Sequence, residues 1–454
     1  MKPALVILAA AVLALAGCGT DGGSGDGAIT LVITANAISG GKNAESADWT
    51  KQWVIPRFEA AQKAKGRDVH VLFQPSGVDD EQYKTKIALD LKSRTGADVI
   101  DLDGIWVGEF AQAGYVKPLA EVAGPEADSW EGWGQIPTAV QGLGIFDGKR
   151  YALPQGTDGR VLYYNRKLFE KAGLPSDWRP ASWQEILDAG AALKRAGVPI
   201  PIQVDAGTAM GEATTMQGAL PLLAGAGAEI YANGKWTGAS QALKDVLGFY
   251  RQIYTTGLGD PKLQQEAQGR DKSFARFAEG KIGILAEGDY FWRAVIEPKA
   301  GVAPMANRDA DVGYALIPAA RPGAGIRGQD AVSMSGGAVR VLNPFSKNPK
   351  PAWELLSFMH SAEATAAQLA GAARITSRTD VNDQVLGVDP MLKFVSDEVL
   401  PVTAYRPPLA VYPQVSVALQ EATADVVSGT SVDEAAASYQ RKLEAIVGAS
   451  NVAR

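Results

Sequence analysis

The sequence predicts an α/β protein of two lobes, and three observations carry that prediction. From residue 29 the chain alternates β-rich and amphipathic segments, β-α-β-α-β, the pattern of a parallel sheet with helices on its faces. Its 454 residues, 46% hydrophobic and 21% charged, can bury more than one core. Near residues 146–166 a hairpin signal, Phe146-Asp-Gly-Lys-Arg150, leads through Gly156-Thr-Asp-Gly159 into a new strand and helix, as a chain leaving one lobe for another would.

Each element follows from local pattern. Ile29-Thr-Leu-Val-Ile-Thr34 is a β-rich run, followed by a Gly-rich turn and a helix from about Ala47 to Lys65 with Trp49, Trp53, Val54 and Phe58 apolar. Val69 to Phe73 repeats the strand signal, Glu81 to Ser93 reads as an amphipathic helix, and Ala97 to Leu102 as a strand buried on both faces. In an open α/β sheet a ligand sits beyond the carboxyl ends of the strands, which here are Asn36 to Gly41, Gln74 to Gly77 and Asp103 to Trp106. A helix from about Val107 to Gln112 ends at Gly114, and Val161-Leu-Tyr-Tyr164 opens the second series. The middle is helical: Ser182 caps Trp183 to Lys194, with Glu185 completing a capping box, then come Glu212 to Gly225 and Ser240 to Tyr254. Strands at Gly280 to Leu285 and Ser335 to Val341 and a helix near Pro351 to Phe358 follow. Trp183, Trp353 and Phe358 fall on apolar helix faces and are expected in the core.

The only cysteine, Cys18, follows the short apolar run Pro3 to Ala16 and the small residues of Leu13-Ala-Leu-Ala-Gly-Cys18. That run is too short to span a bilayer and reads as a lipoprotein signal, residues 1–17, with Cys18 lipidated at the new N-terminus. Residues 18–28 carry the polar GTDGGSGDG and read as a flexible tether. The expected location is extracytoplasmic, lipid-anchored to the outer face of the cell membrane.

Composition excludes several classes. A net charge of −6 with no long basic run argues against nucleic acid. One cysteine permits no internal disulfide, so packing alone must hold the chain. The two histidines, His70 in a strand-like run and His360 near the end of an apolar helix, lack the company that a zinc site or a nucleophilic triad requires, so no metal and no cofactor is expected.

Several motifs in order carry a family resemblance. These are the lipobox; Asp98-Val-Ile-Asp-Leu-Asp103 with Trp106, Glu109-Phe-Ala, Gly114 and Pro118-Leu; and Gly148-Lys-Arg-Tyr-Ala-Leu-Pro154. Leu162-Tyr-Tyr-Asn-Arg-Lys-Leu-Phe169 with Lys171-Ala-Gly-Leu-Pro175, Phe277-Ala-Glu-Gly-Lys-Ile-Gly283, and Ser335-Gly-Gly337 with Asn343-Pro-Phe-Ser-Lys complete the series. Together they resemble the extracellular solute-binding lipoproteins of ABC carbohydrate importers, in the maltose-binding branch and most nearly its actinobacterial sugar- and trehalose-binding members. The resemblance implies a two-lobed periplasmic-binding-protein-like fold, each lobe a mostly parallel sheet flanked by helices, with a three-segment hinge near Ala152 to Thr157, Leu285 to Asp289 and Met334 to Gly337. The lobes are then expected as 29–153 with 289–334, and 154–288 with 335–454. Implied partners are a small carbohydrate and the transmembrane subunits of a permease; the receptor is expected to be a monomer and not an enzyme.

A sugar needs bidentate polar groups for its hydroxyls and flat aromatics for its C–H face. Asp103, at the end of a buried strand, resembles the family's ligand-binding acid, and it also fits the N-cap of the helix that begins at Trp106. Asp158 resembles a position where disaccharide binders place Asn or Asp on the sugar, or forms an Asx turn before Gly159. Asp289, Tyr290 and Trp292 follow a strand where the family places a stacking aromatic, one of the two rings being core. Gly336 and Gly337 let backbone approach a ligand or serve a hinge. Arg406 resembles a sugar-clamping arginine of trehalose binders, or is an exposed loop arginine. Asn36, Gln74, Trp133 and Asp271 lie on loops that face the cleft in this reading.

Two other classes compete. An exported glycoside hydrolase would need paired carboxylates, and Asp101/Asp103 or Glu287/Asp289 are the available pairs; residues two apart on a strand, however, point to opposite faces and cannot address one bond. A receptor for a non-sugar solute would share the same shape.

Overall fold

The computed structural model describes residues 28–41, 43–370 and 374–453. The lipobox, Cys18 and the tether up to residue 27 lie outside the described residues. Among the described residues no helix is long and apolar enough to cross a membrane.

The sheet strands are, in chain order, β1 (Ile29–Ala35), β2 (Val69–Pro75), β3 (Val99–Asp103), β4 (Ala152–Pro154), β5 (Arg160–Asn165), β6 (Ile200–Gln203), β7 (Ile282–Gly288), β8 (Val312–Ala315), β9 (Ala331–Ser335), β10 (Ala338–Leu342) and β11 (Thr403–Tyr405). The first lobe carries the sheet β2-β1-β3-β10-β4 and the second the sheet β8-β5-β7-β6; a small sheet joins Ile317–Pro318, β9 and β11. In the first sheet β1 runs parallel to β2 and β3, with Ile29 opposite Val69 and Ile33 opposite Val99, while β10 is antiparallel to both β3 and β4. In the second only β7 and β6 are parallel. The two-lobed α/β class therefore holds, with mixed sheets in place of the mostly parallel ones expected, because β10 in the first sheet and β5 in the second each run antiparallel to both neighbours.

Central strands are legible as uninterrupted apolar runs because helices cover both faces: every residue of β5 and β7 is buried. The helix Trp183–Arg195 starts where Ser182 Oγ accepts the Glu185 N–H, and the Glu185 carboxylate accepts from Ala181 N–H at 3.0 Å. The expected capping box is thus displaced by one residue on its return bond. Trp49, Phe58, Trp133 and Trp353 pack the first lobe, and Trp183, Phe249 and Tyr250 the second.

Strand pairing corrects the expected lobe boundaries. Residues 289–334 belong with the second lobe: β8 pairs with β5, and Phe291 packs 5.0 Å from Tyr163. Residues 338–369 belong with the first, where Val339 lies opposite Leu102 and Pro154, and Trp49 Nε1 donates to the Ala364 carbonyl at 3.0 Å. The crossings are Gln155–Gly159, Gly336–Gly337, and the passage from the helix Ala362–Leu369 to Ile375 in the second-lobe core. Leu285–Asp289 is not a crossing, because Leu285 to Gly288 pair with β5 inside one sheet.

Candidate functional site

A cleft of about 250 Å³ opens where the carboxyl ends of β1 and β3 meet the crossings. The first lobe contributes Asn36, Glu45, Asp80, Asp101, Asp103 and Trp106; Gln155, Thr157, Asp158, Gly337 and Arg374 come from the crossings, and Arg293 from the second lobe. Of the three strand ends expected to converge, those of β1 and β3 do so. Gln74, at the end of β2, is exposed and lies outside the cleft lining, its carbonyl accepting Thr34 Oγ1 at 3.0 Å.

The acids are held by different partners. Asp103 Oδ1 accepts the Ile105 N–H and Arg406 Nη2, both at 3.1 Å. Burial pushes its carboxyl above the usual range, with Arg406 opposing. Asp158 is likewise partly buried, but Arg160 and the Gly336 N–H, 2.7 Å from its Oδ1, outweigh that and hold it below the usual range. Asp101 accepts from Arg340 Nε at 2.9 Å and Gln155 Nε2 at 3.0 Å, and Arg340, buried at 2% exposure, lies against the Trp49 ring. His360 faces Arg340, and burial first, then Arg340, Arg374 and Arg378, holds its imidazole neutral.

Both glycines sit where a side chain would not fit or would disturb the site. A Cβ on Gly337 would lie 2.4 Å from the Gly156 carbonyl oxygen, and one on Gly336 would lie 3.2 Å from Arg406 Nη2. Trp106, at 5% exposure, borders the cleft, with Lys84 Nζ 6.0 Å from its ring centre. Asn36 turns its amide to the Val78 carbonyl and Asp80 Oδ1, both at 3.0 Å, and its own Oδ1 is buried without a partner.

Several expected residues are elsewhere. Arg406 is not an exposed loop arginine: only 6% of its side chain is exposed, bonded to Asp103 at 3.1 Å and Glu212 at 3.0 Å. Glu212 is fixed in turn by Tyr412 and Ser416. Trp292 is core, donating to Asp389 at 3.3 Å under Arg308. Trp133 is core of the first lobe and donates to the Ala127 carbonyl at 2.8 Å. Asp271 is exposed on the helix Gly269–Ala278, outside the cleft lining. Asp289 is buried behind the cleft; its Oδ1 has no partner, and burial raises its carboxyl to about 6. Tyr290 is half-buried beside the lining, its ring 5.5 Å from Arg293.

Sequence reasoning passed over Glu45, Gln155, Arg293 and Arg374. No motif marks them; Arg293 alone had a signal, its i,i+4 spacing from Asp289. Among the described residues no group of three or more His, Cys, Asp or Glu is placed to hold a metal ion.

A family model described as "Bacterial extracellular solute-binding protein" matches residues 24–366. A Brucella abortus (strain 2308) protein provisionally named a binding protein is 26% identical over 331 residues, covering 72% of this chain and 74% of its own. Among solved structures, an ABC transporter solute-binding protein of Thermotoga lettingae bound with α-D-tagatose is 26% identical, with a TM-score of 0.75 over 93% of this chain and 100% of that one. The GacH receptor of Streptomyces glaucescens, solved unliganded and with acarbose, is similar in fold at a TM-score of 0.74 and 23% identity, over 93% of this chain and 99% of that one.

Proposed function

Because the chain belongs to the bacterial extracellular solute-binding protein family, we propose that it is the receptor of an ABC importer that captures a mono- to oligosaccharide in the interlobe cleft and delivers it to a membrane permease. The observation that carries this reading is the composition of the cleft: the Trp106 ring borders a chamber whose rim is Asp103, Asp158, Asn36 and Gln155, drawn from the first lobe and the crossings. Aromatic surface with amide and carboxylate acceptors suits a polyhydroxyl solute. The solved Thermotoga lettingae relative, bound with a ketohexose, supports the same class.

The site holds solute without transforming it. Asp101 is engaged by Arg340, and Glu287 is bonded through both oxygens to Arg270 Nε and Nη2, so one carboxylate of each pair a hydrolase would use as acid and base is committed to a structural ion pair. Capture proceeds by hinge closure at the crossings, driven by contacts a solute makes with both lobes. The receptor works as a monomer tethered through a lipidated Cys18, and replacing Cys18 with Ser is expected to release the protein from membranes.

A thermal-shift screen of the purified protein against monosaccharides, disaccharides and longer oligosaccharides tests the reading. A cognate sugar at 100 times its dissociation constant adds about 2.7 kcal/mol of stability. A flat response across the panel, with recovery of shifts by amino acids or peptides, would reject it.

A further inference from the structure

We propose that Arg374 and Arg293 form an oxyanion subsite at the hinge end of the cleft, so that the solute is a sugar or polyol bearing a carboxylate or a phosphate. This rests on the carbohydrate-receptor reading and narrows its substrate class.

Both guanidinium groups line the cleft, one from a crossing and one from the second lobe. Among the described residues, Nε and Nη2 of Arg374 are buried without an acceptor, and so is Nε of Arg293. The nearest carboxylate oxygen to Arg293 Nε is Asp289 Oδ2 at 3.8 Å, too far for a hydrogen bond. The other acids of the cleft are committed: Asp103 to Arg406, Asp158 to Arg160 and the Gly336 N–H, and Asp101 to Arg340 and Gln155.

Charge points the same way. Burial, then Arg293, and less strongly Arg340, draw the Arg374 guanidinium down to about 10, against the pull of Glu45 and Asp101. Two cations, Arg374 and Arg293, thus face each other at this end of the cleft with no hydrogen-bonded carboxylate on their buried N–H groups, although the chain as a whole carries −6. A neutral hydroxyl would satisfy an N–H but leave that charge uncompensated. A carboxylate or phosphate does both, and its oxygens match the planar guanidinium fork. The competing occupant is Glu45, which lines the same cleft from the first lobe and already acts electrostatically on Arg374.

Isothermal titration of the full-length protein against matched trios tests this: glucose, glucuronate and glucose 6-phosphate, and galactose, galacturonate and galactose 6-phosphate. One acidic member is expected to bind at least tenfold tighter than its neutral parent, and which one it is distinguishes carboxylate from phosphate. Raising the salt should narrow that preference. Arg374→Gln and Arg293→Gln are expected to lower the acid-to-neutral ratio at least tenfold, and Arg374→Lys to restore part of it. A neutral parent binding as tightly as its acids overturns the subsite and leaves the receptor reading intact, as Glu45 occupancy would produce. Binding of no member of either trio, neutral or acidic, together with a flat oligosaccharide screen, removes the receptor reading and the subsite with it. The wild-type ratio decides the matter even where a variant fails to fold.

Discussion

Arg406 and Asp103 tie the two lobes together through one charged hydrogen bond, Nη2 to Oδ1 at 3.1 Å, between the segment that follows β11 and the end of β3. Arg406 also holds Glu212 at 3.0 Å, so one buried guanidinium neutralises a carboxylate from each side of the cleft. Burial alone would weaken its charge, but Asp103 and Glu212 more than compensate and hold it fully protonated.

Removing that guanidinium strands two carboxylates. Arg406→Ala is expected to destabilise the protein by about 2 kcal/mol, below the scale for breaking a fully buried pair because water reaches both Asp103 and Glu212. Asp103→Asn should cost less, since Arg406 keeps Glu212. Urea denaturation of both variants checks the order; an Arg406→Ala loss below that of Asp103→Asn would show that the arginine behaves as an exposed loop residue.

Trp106 alone among the ten tryptophans borders the cleft. Solute binding is therefore expected to change its emission, and Trp106→Phe to abolish the change while costing little affinity. Trp106→Ala should weaken binding by roughly 1 kcal/mol, as for the loss of one aromatic contact. A binding-dependent emission change that survives in Trp106→Phe would place the solute elsewhere.

How much of this was legible in the sequence depends on how local the cause is. The strands β1, β3, β5 and β7 could be read because burial writes itself into consecutive residues, whereas the crossing near Met334 to Gly337 follows from the family resemblance, with Gly336 and Gly337 free to serve a hinge. The lobe to which β10 belongs could not be read: nothing in Ala338–Leu342 distinguishes a strand that pairs with Leu102 from one that stays with β9. For the same reason the sequence leaves Arg406 open between a sugar clamp and an exposed loop arginine, since Asp103 and Glu212 reach it only through the fold. Trp292 was drawn towards the ligand by its place after a strand, whereas Asp389 and Arg308, distant in sequence, fix it in the core.

Gly108 shows how closely the lobes approach. A Cβ there would stand 2.5 Å from the Pro408 carbonyl oxygen and 2.9 Å from its carbon, backbone atoms that cannot swing aside. Gly108→Ala is expected to push the segment carrying Arg406 off the helix Trp106–Gln112, at a cost of about 1–3 kcal/mol, typical of overpacking. Alanine is otherwise a better helix former than glycine, so a rise in Tm for this variant would mean the contact relaxes freely.

Asp205 gives a pH dependence whose sign follows from its surroundings. It is buried in the second lobe at 2% exposure, with Oδ2 unpartnered; burial first and then Glu287 raise its carboxyl to about 7, against Arg270 and Gln203. The folded chain therefore holds this proton more tightly than the unfolded chain, where an aspartate titrates near 3.9. The stability this group contributes is fully present below pH about 4, falls as pH rises towards about 7, and is absent above it. Asp205→Asn, which cannot ionise, is expected to raise Tm at pH 8 relative to the parent and to lose that advantage by pH 4. Thermal melts at both pH values check it, and equal Tm differences at the two would mean that Asp205 stays charged in the folded protein throughout.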